Sequence, residues 1–217
     1  GFYHSAFVLQ KPNRTLLTCD KFSIIKSPGD PMTTSSASQL RLTVYASLFA
    51  ALISAGAFMA IPIGPVPIVL QNMFVLLAGI LLGWKWGGAS VLIYLLAGAV
   101  GFPVFSAGRG GIVHLFGPTG GYLLSYIPAV MVVGIVSGKF AASSEGSTRK
   151  EAAGNALAMI LGSAIVYGIG VPWLKLLTGL SWGKAIAVGM LPFLIGDALK
   201  IIAAVYIVRL LRSRIRL

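Results

Sequence analysis

From about residue 41 onward the chain alternates long apolar runs with short breaks rich in glycine, proline and polar residues. That rhythm predicts helices of membrane-crossing length. Six runs stand out, at about 41–61, 66–83, 87–106, 118–138, 153–177 and 184–208. Each approaches or exceeds the roughly 20 apolar residues that a helix needs to cross a bilayer. The breaks read IPIGPVP, GWKWGG, SAGRGGIVHLFGPTGG, GKFAASSEGSTRKEAAG and TGLSWGK. The second run is just long enough, so it is expected to tilt little or to be partly shielded by protein. The expected fold is an all-α integral membrane bundle of six transmembrane helices built from residues 40–217. Residues 1–39 stand apart: they mix Lys11, Arg14, Lys21 and Lys26 with Pro12, Pro28, Pro31 and a Ser/Thr-rich run from Thr33 to Ser38. Two readings fit them, an upstream extension preceding a natural start at Met32 or a disordered cytoplasmic arm.

Composition removes the soluble alternative. Of 217 residues, 57% are apolar and 10% charged, with a mean hydropathy of +0.89. Soluble domains carry roughly 25% charged residues, so too few charges remain here to cover a water-facing surface. The net charge of +12 is compatible with nucleic-acid binding in the abstract, but its placement argues for a lipid bilayer and no nucleic acid. With both termini inside, thirteen of the 17 basic residues fall on inside segments, against Arg109, Lys175 and Lys184 outside and Lys200 within a span. This is the positive-inside bias of a multi-pass protein, and it places the N- and C-termini in the cytoplasm and the chain in the cytoplasmic membrane. The RLLRSRIR tail suits anionic inner-leaflet lipid. Cys19 is alone, so no internal disulfide forms, and no cleavable signal peptide is evident.

No catalytic or cofactor motif is visible. SGKF at Ser137–Phe140 and WGKA at Trp182–Ala185 lack the spacing and hydroxyl of a phosphate loop, and neither HExxH nor a Cys/His cluster occurs. No cofactor, no metal and no enzymatic activity are expected. The informative pair is Asp197 and Lys200, three positions apart on one face of the sixth span. An ionised group in mid-membrane costs roughly 2.5–3.5 kcal/mol on insertion scales. One reading is a self-neutralising packing pair, although apolar residues usually fill such a position at lower cost. The other is a site for a polar solute, with Lys200 holding an anion and Asp197 accepting from N–H groups. Pro192, upstream, is placed to kink this span and free a carbonyl. The third break is glycine-rich, with an apolar skin from Phe102, Phe105, Phe116 and Tyr122. It suits close backbone approach to a ligand or a plain connecting loop. Arg109 reads as an anion attractor at a mouth or a solvated charge, and His114 as an interfacial side chain rather than a ligand. Gln71 and Asn72 are adjacent amides pointing to different helix faces, so at most one faces a cavity; interhelical hydrogen bonding is the alternative. Ala46, Ala50, Ala51 and Ala55 form small-residue stripes on span one, suited to internal packing or to docking another membrane subunit.

Three segments bring a family into view: VPIVLQNMFVLLAGILLG (66–83), YLLAGAVGFPVFSAGRGG (94–111) and GPTGGYLL (117–124), followed by DALK at Asp197–Lys200. Over about residues 40–210 the chain resembles the BioY family, the substrate-binding S components of energy-coupling-factor (ECF) vitamin transporters. The resemblance implies a six-helix S-component fold that binds biotin in an outward-opening pocket. It implies that Lys200 pairs with the valerate carboxylate and that Asp197 accepts from the ureido N–H groups. Gln71 and the Thr119–Tyr122 loop, with Thr119, Gly120 and Tyr122, are weaker carry-overs; Asn72 and Arg109 are doubtful ones. The implied partners are a membrane coupling protein and a pair of ATPase subunits, docking on the Ala46, Ala50, Ala51 and Ala55 face. Other readings stay open: an S component for a different vitamin, a secondary transporter working alone, an intramembrane enzyme using Asp197, and a structural subunit.

Overall fold

The computed structural model describes residues 32–61, 66–143 and 147–212, with side chains from 38 to 210 apart from residue 61. The basic N-terminal arm, the middle of the first break, residues 144–146 and the last five residues lie outside the described part. Among the described residues the architecture is helical apart from one two-residue ladder and an isolated bridge between Phe105 and Arg109. In chain order it comprises α1 (Met32–Phe58), β1 (Ala60–Ile61), β2 (Ile68–Val69), α2 (Gln71–Val100), α3 (Gly120–Ser143), α4 (Thr148–Thr178), α5 (Trp182–Gly189) and α6 (Leu191–Arg212). Among the described residues, five helical stretches are long and apolar enough to cross a membrane, with α5 and α6 counted as one. Large apolar side chains cover the outside, Ile195 78% exposed and Leu199 and Ile202 close behind. Such a surface is stable against lipid and untenable against water. The protein is a multi-pass membrane protein.

The first helix starts earlier than its hydropathy. Met32 to Gln39, assigned from sequence to the extension, continue α1. Hydropathy marks only where lipid begins, whereas a helix continues into water wherever nothing breaks its backbone hydrogen bonds. Ala46, Phe49, Ala50, Ile53 and Ala57 form the inward stripe of α1, at the three-to-four spacing of one helix face. This divides the expected docking surface. Ala46 and Ala50, 1% and 6% exposed, pack into the bundle and are out of any partner's reach. Ala51 and Ala55 are exposed.

Runs two and three are joined within α2, which is not straight. Gly83 has φ 72 and ψ −176, a left-handed backbone open to glycine at no steric penalty. A Cβ on Gly87 would lie 3.0 Å from the Ala78 carbonyl oxygen and 3.1 Å from Gly79 Cα. In a straight helix those positions are separated by roughly 12–14 Å along the axis. The helix therefore doubles back at Gly83 into limbs 71–82 and 84–100. Gly134 of α3 lies against the turn, where a Cβ would fall 2.4 Å from the Trp84 nitrogen.

The first limb is short because residues 66–70 are not helix, and Ile68 and Val69 within them are strand. Pro65 and Pro67 remove backbone donors and disfavour the α conformation before them. The chain instead pairs antiparallel, Ala60 with Val69 and Ile61 with Ile68, an element the hydropathy does not announce. The sixth run also breaks. Met190, at φ −135 and ψ −54, separates α5 from α6, and Pro192 sits in the first turn of the new helix, where its missing N–H is no loss. Phe193 N–H bonds to Met190 O. The Gly189 carbonyl is thereby released, and it accepts from the Tyr122 hydroxyl at 2.9 Å.

Candidate functional site: a two-chambered cavity

The inward stripe of α6 consists of Phe193, Asp197, Lys200, Ala204 and Val208, and it carries the two ionisable residues into the bundle. Asp197 is 5% exposed and Lys200 9%. The Lys200 ammonium donates to Asp197 Oδ1 at 3.1 Å and to the Val69 carbonyl at 2.8 Å. The second bond exists because β2 is extended and turns that carbonyl away from its ladder. On the other side, the Tyr167 hydroxyl of α4 donates to Asp197 Oδ2. The pair is thus neutral as a whole, with its hydrogen-bonding capacity only partly used: an ammonium has three donors and a carboxylate about four acceptor positions.

Asp197 and Lys200 line a niche of about 40 Å³ together with Val66, Pro67, Val69, Asn72, Tyr122, Tyr126, Val166, Tyr167 and Phe193. A larger chamber of about 320 Å³ adjoins it, sharing Val66, Pro67, Val69, Tyr122 and Tyr126 as walls. Its remaining lining is Phe58, Ala60, Gln71, Phe105, Ser106, Ala107, Arg109, His114, Thr119 and Leu123. The volume lies within the roughly 300–1,000 Å³ usual for small-molecule sites, and so does the character, aromatic walls with a few placed polar groups.

Of the residues singled out from sequence, Gln71, Arg109, Thr119 and Tyr122 line the larger chamber and Asp197 and Lys200 the niche. Gly120 lines neither. It is buried at the start of α3, where a Cβ would come within 1.9 Å of the Leu115 carbonyl oxygen; its place in the motif is set by that close approach. Arg109 is exposed at the chamber rim, and its guanidinium has no carboxylate partner among the described residues.

The expectation that at most one of Gln71 and Asn72 faces a cavity does not hold. Gln71 lines the chamber and Asn72 the niche, because the cavity wraps around the first turn of α2 and meets two of its faces. Gln71 Nε2 and Asn72 Oδ1 are both buried with no hydrogen-bond partner among the described residues. A buried polar atom left so costs roughly 1–3 kcal/mol, and buried groups of this kind in native proteins are normally partnered. His114, read from sequence as interfacial, also lines the chamber, and its Nδ1 is buried and unpartnered too.

Sequence reasoning missed Tyr167, Tyr126 and Phe58. Tyr167 carries no local signal, since only the packing of α4 on α6 brings it to Asp197. The loop skin divides: Phe105 and Tyr122 are buried in the site, whereas Phe102 and Phe116 are 61% and 65% exposed. Phe105 is pinned edge-on against Tyr94, ring centroids 5.6 Å apart. It occupies the space over Gly98, where a Cβ would lie 2.2 Å from its ring. Trp173 Nε1 donates to the Gly117 carbonyl at 3.0 Å, tying the far end of the loop to α4.

With the cavity described, its kinship can be stated. Residues 31–217 match the BioY family, a stretch that contains every cavity-lining residue. The chain belongs to the BioY family. It is 40% identical over 167 residues to the probable biotin transporter BioY of Pyrococcus horikoshii, covering 77% of this chain and 93% of that protein. It is likewise 40% identical over 169 residues to the biotin transporter BioY of Thermotoga maritima, at 77% and 94% coverage. The fold is similar to a crystal structure of the S-component for biotin from an ECF-type ABC transporter, with a TM-score of 0.74 and 31% identity over 82% of this chain and 94% of that one. These BioY relatives are named as transporters, not enzymes.

Proposed function

We propose that the chain is a biotin-binding S component of an ECF-type transporter, holding biotin in the two-chambered cavity. The observation that carries this reading is the cluster of under-used polar groups around one ligand-sized cavity: the Asp197–Lys200 pair, Gln71 Nε2 and Asn72 Oδ1. The names of the BioY relatives and of the structural neighbour support biotin as the ligand.

The electrostatics favour one orientation. A carboxylate brought beside the Asp197–Lys200 pair meets attraction and repulsion of similar size, each about 4 kcal/mol at 4 Å and an effective dielectric of 20. A ureido head is neutral and presents N–H donors beside a carbonyl acceptor, the complement of a carboxylate beside an ammonium. The head therefore belongs at the junction of chamber and niche, with Asn72 alongside, and the valerate carboxylate at the rim near Arg109. This differs from the assignment of Lys200 to the carboxylate that the family resemblance implies.

The same reading gives the topology. Limb 71–82 measures about 18 Å as helix, and residues 66–69, leading into it through the strand Ile68–Val69, add at most about 13 Å. Together they match a hydrocarbon core of about 30 Å, so the fold-back at Gly83 makes six crossings of five apolar stretches, with both termini cytoplasmic and the cavity opening outward. Non-helical backbone at membrane depth is tolerable here because it lines a cavity. The membrane is the cytoplasmic one. A membrane coupling protein and a pair of ATPase subunits supply the energy, and the exposed Ala51 and Ala55 are the remaining part of the docking face on α1.

The test is calorimetric titration of the detergent-solubilised chain with biotin, biotin amide, thiamin and riboflavin. Biotin alone among the vitamins is expected to bind. Arg109→Gln should weaken biotin about tenfold or more, the loss of a charge-assisted bond, while leaving the amide nearly unchanged. Equal weakening of both ligands sinks the orientation, and a folded wild type that ignores biotin sinks the function.

A further inference from the structure

A second concavity lies on the outside of the bundle, between α4 and the α5–α6 pair. It encloses about 760 Å³ and is walled by apolar or small residues, among them Ile160, Ala164 and Gly168 on one side and Trp182, Ile186 and Leu194 on the other. It is separate from the chamber, and the Tyr167–Asp197 pair forms the partition between it and the niche. A vitamin with a polar head finds almost nothing to bond to here.

Three features identify an occupant. The groove runs along α4 from Ile160 to Pro172, about 18 Å at 1.5 Å per residue, close to the half-thickness of a hydrocarbon core of about 30 Å. It ends at Trp182, a residue type that settles at membrane interfaces. At that end the Lys175 ammonium lies 4.9 Å from the Trp182 ring centroid, with the exposed Lys184 in the same first turn of α5. An apolar slot one leaflet long with the Lys175 cation at its interfacial end has the shape and charge of a phospholipid site. A docked helix is a poorer fit, since specific protein interfaces bury upwards of about 1,200 Å² and this groove has the dimensions of a ligand pocket.

We propose that this groove holds an acyl chain of an anionic phospholipid from the leaflet at the Lys175 end, with the phosphate beside Lys175. The chain covers the outer side of the Tyr167–Asp197 pair and keeps water from reaching the niche through the bundle wall. Gly168 offers a clean probe, because a Cβ there meets nothing within 4 Å. A larger side chain enters the groove without disturbing the fold.

The experiment is native mass spectrometry of the full chain in mild detergent with equimolar phosphatidylglycerol and phosphatidylcholine. Wild type should retain one phosphatidylglycerol in preference to phosphatidylcholine. Lys175→Gln, alone or together with Lys184→Gln, should remove that preference, at about fivefold. Gly168→Phe should reduce retention of both lipids several-fold, with thermal stability and biotin titration checking that the variants are folded. Equal retention of the two lipids by wild type, a preference that survives Lys175→Gln, or retention untouched by Gly168→Phe each overturns the proposal.

Discussion

At the scale of the residue, the cavity is defined by buried polar groups whose hydrogen-bonding capacity the bundle leaves partly unused. Asp197 and Lys200 are the extreme case. Removing one member leaves an uncompensated charge in a low-dielectric interior, a loss of about 3–5 kcal/mol. Lys200→Met or Asp197→Leu alone should therefore lower the thermal midpoint sharply. The double variant should recover most of that stability and still fail to bind biotin, because the loss then belongs to the ligand and not to the fold. Thermal unfolding followed by tryptophan fluorescence, paired with titration, separates the two; a double variant that binds normally returns the pair to a packing role. Gln71 makes the complementary case. Its Nε2 has no partner among the described residues, so Gln71→Leu removes a penalty of about 1–3 kcal/mol. Stability should hold or rise while biotin affinity falls about threefold to tenfold, the loss of one neutral hydrogen bond. Both amides were visible in the sequence as polar positions in an apolar run. Their joint access to the cavity was not, because one turn of helix reads as two opposite faces until the shape of the space around it is known.

At the scale of the element, α2 and α6 owe their form to single residues that interrupt regular geometry. Gly83 turns α2 back on itself, and its positive φ is the requirement. At φ 72 and ψ −176 the backbone lies in a region essentially confined to glycine, where any other residue costs roughly 1–3 kcal/mol, so Gly83→Ala and Gly83→Val should both lower the thermal midpoint. An unchanged midpoint in Gly83→Ala, whose Cβ meets nothing within 4 Å, would show that backbone conformation does not govern the turn. In α6 the break at Met190 hands the Gly189 carbonyl to Tyr122, which fixes a ring shared by both chambers. The proline and glycine positions signalled these interruptions in advance. Their consequences were partly hidden, since hydropathy registers how long an apolar run is and not whether its first residues are strand or helix. The replacement of helix by strand at Ile68–Val69 is what brings the Val69 carbonyl to Lys200.

At the scale of the whole molecule, topology follows from charge and from the doubled-back helix. The six crossings proposed above would place Lys85, beside the Gly83 turn, on the cytoplasmic side and Thr178, at the end of α4, on the outside. With Cys19 replaced by serine, single cysteines at these two positions should react oppositely with an impermeant maleimide on intact cells. The Thr178 site should label, and the Lys85 site should label only after permeabilisation. Labelling of the Lys85 site from outside would remove the six-crossing topology. The small-residue stripe of α1 also belongs to this scale. Its period was plain in the sequence, but period does not say which face turns inward, and packing against α2 left Ala51 and Ala55 as the pair still open to a partner.

The sequence alone determined the solvent, where the long apolar runs lie and the two charged residues on one face of the last run. All three follow from local chemistry: hydrocarbon tolerates few charges, a span needs a minimum length, and residues three apart share a helix face. The tertiary structure decided what those charges meet. Tyr167, Val69, Asn72 and Tyr126 reach the niche from three separate stretches of chain, and nothing in their own neighbourhoods marks them. Their roles arise from contacts across the bundle, set by how helices close on one another around small residues, and local pattern carries no record of that.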